Sequence, residues 1–189
     1  GLIRTALRLI EVTKVQSQAE ARALVETALS HARQLEDEAL TLEVELVRAE
    51  LNYDDLGSLL PRLQTLGDHR LLAMSWALRA QREGSAEPLR AALAHAERAG
   101  AKRLQASLAV ELARLLILQG APASDIEPLL TRAQAWQPEF PPTLVTQACH
   151  LARAERMDEA QQVLARARTL LNKQPDMSWC PNRIPLHAR

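Results

Sequence analysis

The 189-residue sequence predicts an all-α chain, a solenoid of about five helix–turn–helix pairs. Apolar residues recur at intervals of three and four almost from end to end, as in Leu40, Val44, Val47 and Leu51 or Leu89, Leu93 and Ala96, which is the spacing that lines one face of a helix. The segments between breaks are rich in Ala, Leu, Glu, Gln and Arg, while the aromatic residues on which strand-rich folds lean are only 3% of the chain. Similar apolar triplets return at intervals near the length of one helix pair.

Taken in order, a first helix is expected over 3–15. Ser17 with Glu20 has the spacing of a capping box and opens a second over 18–34, followed by one over 37–52. The next, over 56–66, contains Pro61, which fits best if the helix starts near Ser58. Gly67 and Gly84 bound a helix over 69–83, being residues able to take positive φ at a helix end. Ser85 precedes the helix over 86–99 and puts Pro88 in its first turn, where a missing N–H costs least. Gly100 and Gly120 bracket 102–119, and Ser124 with Glu127 repeats the capping-box spacing at a helix over 125–136. A helix over 142–154 follows, and Asp158 with Gln161 opens the last, over 159–172. Residues 175–189 carry Pro175, Pro181 and Pro185 without periodicity, so the chain divides into a helical domain, 1–174, and a tail or linker, 175–189.

The repeat is visible residue by residue. Second helices carry Ala21-Val25-Ala28, Leu56-Leu60-Leu63, Leu89-Leu93-Ala96, Ile126-Leu130-Ala133 and Ala160-Leu164-Ala167. First helices carry Leu40-Val44-Val47, Ala73-Ala77-Ala80, Leu108-Leu112-Leu115 and Leu144-Ala148-Leu151. Each triplet falls on one helix face. The chain here resembles the tetratricopeptide repeat (TPR) family, best over Leu144 to Ala167, where Ala148, Leu151, Ala160, Leu164 and Ala167 match the family's small and aliphatic positions and Pro138 its closing proline. Tyr53-Asp54-Asp55-Leu56 echoes Met157-Asp158-Glu159-Ala160 at the same place in an earlier repeat, whereas the family's aromatic positions are mostly aliphatic here. The segments Ala92–Gly100 and Ala28–Asp37 are similar to the degenerate repeats of bacterial regulators, LuxR-type activators and signal-transducing ATPases.

The resemblance implies a right-handed superhelix whose first helices line a concave surface. The positions it turns toward that groove are Leu71, Met74, Leu78 and Arg82 in the centre, Glu38, Thr41, Glu45 and Arg48 on one side, and Ala106, Ala109, Ala113, Val145, Cys149 and Arg153 on the other. The Lys and Asn pattern of the family's chaperone-binding clamps is missing, so a C-terminal carboxylate ligand is not indicated.

Charge narrows the partners. Lys plus Arg and Asp plus Glu number 23 each, so the chain has no electrostatic reason to bind nucleic acid or an anionic membrane. The balance is local, though: Glu36, Asp37, Glu38, Glu43, Glu45, Glu50, Asp54 and Asp55 face only Arg48 over residues 36–55. That segment reads either as a solvated helix face or as a docking patch for a basic segment, including that of a second copy in a homodimer. Two cysteines and a charged, non-hydrophobic start predict a cytoplasmic protein, and the absence of a long apolar run argues against a membrane span. Gly1 opening onto a helix and the proline-rich end suggest a piece of a longer chain.

Catalytic patterns are lacking. No glycine-rich phosphate loop, G-x-S-x-G or H-E-x-x-H is present. Cys149, His150, Cys180 and His187 have no zinc-ligand spacing, and His31, His69 and His95 read as separate surface residues, so neither metal nor cofactor is expected. The resulting expectation is a non-enzymatic module that binds a protein, a peptide or a small inducer, as the sensory or scaffold segment of a bacterial transcriptional regulator acting in signal transduction. The alternative is the regulatory repeat segment of a larger cyclase, kinase or ATPase whose catalytic domain lies elsewhere, and a small helical enzyme is disfavoured.

Overall fold

A computed structural model describes residues 17–52 and 56–173, and every regular element among them is an α-helix. In chain order these are α1 (Gln18–Gln34), α2 (Glu38–Asn52), α3 (Leu59–Leu66), α4 (His69–Glu83), α5 (Ala86–Arg98), α6 (Lys102–Leu118), α7 (Ala123–Trp136), α8 (Pro141–Arg153) and α9 (Met157–Lys173). The helix expected over 3–15, Tyr53, Asp54 and Asp55, and the tail from 175 lie outside the described residues.

Local chemistry sets the boundaries. The Glu20 N–H donates to Ser17 Oγ at 3.3 Å, capping α1, and Gly67, Gly84, Gly100 and Gly120 all take positive φ where helices stop. Pro61 sits in the first turn of α3, because that helix starts after Ser58 and is shorter than the expected 56–66. Two expected capping boxes do not form. Ser124 and Asp158 both lie inside their helices, one behind an extended Pro122 and the other behind Met157, so neither occupies the residue before the first turn. Asp68 supplies a cap instead, its carboxylate accepting from the N–H groups of Arg70 and Leu71 at 2.8 and 3.0 Å.

Packing is between near neighbours in sequence. The closest pairs are α1 with α2, α4 with α5, α6 with α7 and α8 with α9; α5 also packs on α6, α2 on α4, and α6 on α8. The apolar triplets supply the contact faces: Ala21, Val25 and Ala28, Ala73, Ala77 and Ala80, and Leu144, Ala148 and Leu151 are all buried. Alanines such as Ala73, Ala77, Ala92 and Ala96 share this interior with Leu and Ile, and their small side chains let helix backbones approach closely. One continuous cluster runs from α2 to α7, while Ala148, Leu151 and Ala160 form a separate one between α8 and α9. No described helix is long and apolar enough to cross a membrane.

Candidate functional site

The positions expected to line a concave groove form no open apolar surface at its centre. Leu71, Met74 and Leu78 are 1, 0 and 4% exposed, and Ala106, Ala109 and Ala113 are fully buried. Helix α4 packs on α2, α3 and α5, and the Arg70 guanidinium reaches the Met74 sulfur at 3.8 Å and Glu43 Oε1 at 2.7 Å. On α6, Ala106 and Ala109 pack with Val110 and Ala133, and Trp136 closes over them. These residues are core, which corrects the expectation that they face a ligand. Val145 is partly exposed, and Cys149 and Arg153 are exposed.

Arg82 and Arg153 share a different task. Arg82 donates to the Ala49 carbonyl at 2.6 Å, in the last turn of α2, and Arg153 donates to the Ile117 carbonyl at 2.6 Å, in the last turn of α6. Each arginine therefore stands near the C-terminus of its own helix and satisfies an end carbonyl of the helix two places before it, where the helix dipole also favours a cation. The same joint recurs at separations of 33 and 36 residues.

Among the described residues, the middle of the acidic segment turns inside the molecule. Glu43 and Glu45 are only 7 and 6% exposed, so the reading of a wholly solvated acidic face is corrected for them. Glu45 accepts from Arg62 at 2.6 Å and Arg33 at 3.2 Å, which ties α1, α2 and α3 together. Arg62 also grips the exposed Glu38 at 2.8 Å. The bond to Glu38, with Glu45 behind it, raises the Arg62 pKa against the burial that works in the opposite direction. Asp37 accepts from the Leu40 N–H at 3.0 Å and so begins α2, and Glu36 takes a positive φ in the turn before it. Glu50 and Arg48 are partly buried on the same helix, and Thr41 Oγ1 donates to the Asp37 carbonyl at 2.8 Å. Sequence spacing did not reveal the partners Arg33, Arg62 and Arg70, because the pairs join residues 12 to 27 positions apart on different helices.

Two grooves are open among the described residues. A groove of about 310 Å³ between α7, α8 and α9 is lined by Gln134, Gln147 and Gln162, with Thr131, Glu127, His150 and Arg156 around it and Leu130, Leu151 and Val163 as apolar floor. Gln134 donates to Gln147 across it, and Arg156 is paired with Glu159 at 2.5 Å. A second groove of about 470 Å³ between α5, α6 and α7 is lined by Leu93, Ala94, Leu112, Leu116 and Leu129, with Arg90, Glu97 and Asp125 at its edge. Helix periodicity did not single out either groove, since both arise where three helices meet rather than on one helix face.

Cys149 is exposed and the adjacent His150 is buried against Glu127, 3.5 Å from its carboxylate, so the two point to different surroundings; Cys180 and His187 lie outside the described residues. Among the described residues, no three His, Cys, Asp or Glu side chains gather as a metal site. His69 and His95 are not separate, as expected, but adjacent: their Nδ1 atoms are 3.1 Å apart. No protein-family profile matches the chain, and neither curated proteins nor solved structures give a match.

Proposed function

We propose that this chain is a TPR-like helical-repeat module, a right-handed solenoid of about five helix pairs that binds an extended peptide or protein segment and performs no catalysis itself. Support for the repeat comes from the packing of helices with their near neighbours and from the recurring joints of Arg82 with Ala49 and Arg153 with Ile117. The observation that carries the binding reading is the glutamine-lined groove between α7, α8 and α9. Each glutamine amide offers both an N–H donor and a C=O acceptor, which is what a peptide backbone needs from a surface, and the Leu130, Leu151 and Val163 floor can take an apolar side chain. The groove replaces the buried Leu71, Met74 and Leu78 strip as the recognition surface. A role as the sensory or scaffold part of a cytoplasmic bacterial regulator is consistent with that chemistry and belongs to the same proposal.

A displayed library of random peptides, selected on the immobilised protein, tests it. Binders should lose at least about tenfold in affinity with Gln162→Trp, which fills the groove, and keep it with Gln81→Trp on the exposed side of α4. Binders that ignore Gln162→Trp, in a variant with unchanged helicity and melting, would place recognition elsewhere.

A further inference from the structure

The histidine pair His69 and His95 sits apart from the grooves. His69 is the first residue of α4 and His95 lies in the last turn of α5, so the pair closes the end of this hairpin opposite the Gly84 turn. Both rings are partly exposed, their centroids are 5.2 Å apart and their planes are inclined by 40°. With the Nδ1 atoms 3.1 Å apart, one neutral ring can donate N–H to the other, and a small rotation of both rings would turn their lone pairs toward a shared cation.

We propose that His69 and His95 form a two-histidine site for a late first-row divalent ion such as zinc, with water completing the coordination. An ion about 2.0–2.1 Å from each nitrogen, the usual imidazole distance, would see the two at about 95–100°, between the square and tetrahedral angles. The surrounding charges are mixed. Arg98 opposes a cation; the C-terminal end of the α5 dipole favours one at His95, and the Asp68 carboxylate, one residue before His69, offsets the positive end of α4. Bridging two helix ends, a bound ion would brace the α4–α5 hairpin and stabilise it by mass action.

Zinc(II) affinity of the full chain, measured by dye competition near pH 7.5 in a Cys149→Ser background, decides the matter. Two ligands acting together should bind at least tenfold more tightly than either His69→Asn or His95→Asn, with the double variant no weaker than the singles. Saturating zinc should raise the Tm of the parent and leave the single variants unmoved. Equal zinc affinity in the parent and both variants would overturn the site and leave a simple N–H···N hydrogen bond. Should a variant fail to fold, imidazole ¹⁵N spectra of the parent provide the second reading: zinc must shift the His69 and His95 rings together with His31 and His150 unmoved, and any other pattern overturns the proposal.

Discussion

Helices α2 to α4 and helices α7 to α9 use similar side chains in opposite ways. In the first region carboxylates go inward: Glu43 and Glu45 are buried and held by Arg70, Arg62 and Arg33 from neighbouring helices. In the second they stay out, with Arg156, just before α9, pairing with Glu159 in the first turn of that helix, and Glu127 standing at the rim of a groove. The interior of the first region is continuous with the main core, whereas α8 and α9 share a small cluster of their own. A charge therefore becomes structural where an adjacent helix brings an arginine to meet it, and remains available to a partner where none does.

The largest expected difference lies in the apolar strip. Leu71→Ala or Met74→Ala on α4 should cost about 2–5 kcal/mol, through lost burial and the cavity left behind, whereas Val145→Ala on α8 should cost under about 1 kcal/mol. Urea denaturation at constant slope measures both, and similar midpoints for the two would return Leu71 and Met74 to the surface. Next comes the buried carboxylate: Glu45→Ala strips a charged partner from both Arg33 and Arg62 and should cost about 1–3 kcal/mol, tempered by the half-exposed arginines. Glu159→Ala, in the solvated pair, should not move the midpoint detectably. The two arginine joints form a matched test at smaller scale. Arg82→Met should cost about 1 kcal/mol and Arg153→Met less, because Arg153 is the more exposed. A reversed order would show that the joints differ in more than solvent access.

The smallest effect is pH-dependent. The folded-state pKa of His95 lies below its ordinary 6.5, so on acidification the unfolded chain takes up the proton first. Its contribution to stability is intact above about pH 6.5, falls as the pH drops through that value and levels off below the folded pKa. Stability–pH curves for the parent and His95→Asn should run parallel above neutrality and differ in slope just below it; curves that stay parallel there would remove His95 from the balance.

The helices and their interior were legible because both follow from short-range periodicity. Ala73, Ala77 and Ala80 could be placed in the interior from spacing alone, and Gly84 at its helix end from its freedom to take positive φ. The candidate groove was misplaced for the complementary reason. Leu71, Met74 and Leu78 occupy a helix face that a regular repeat would leave open, and the packing of α2, α3 and α5 on α4, with the reach of Arg70 to the Met74 sulfur, is not encoded in the periodicity of α4. The Glu45–Arg62 and His69–His95 meetings were invisible likewise, since residues 17 and 26 positions apart meet only after whole helices have been docked.

The nearest-neighbour packing has a kinetic consequence. A helix whose main partners are the next one or two along the chain closes only short loops as it docks, so little chain entropy is lost before contacts begin to repay it. Such a molecule should fold rapidly and without a long-range bottleneck. Its amide protons should then exchange unevenly: slowest along α4 to α6, where the interior is continuous, and faster in α8 and α9, whose separate cluster can open as a unit while the rest stays closed.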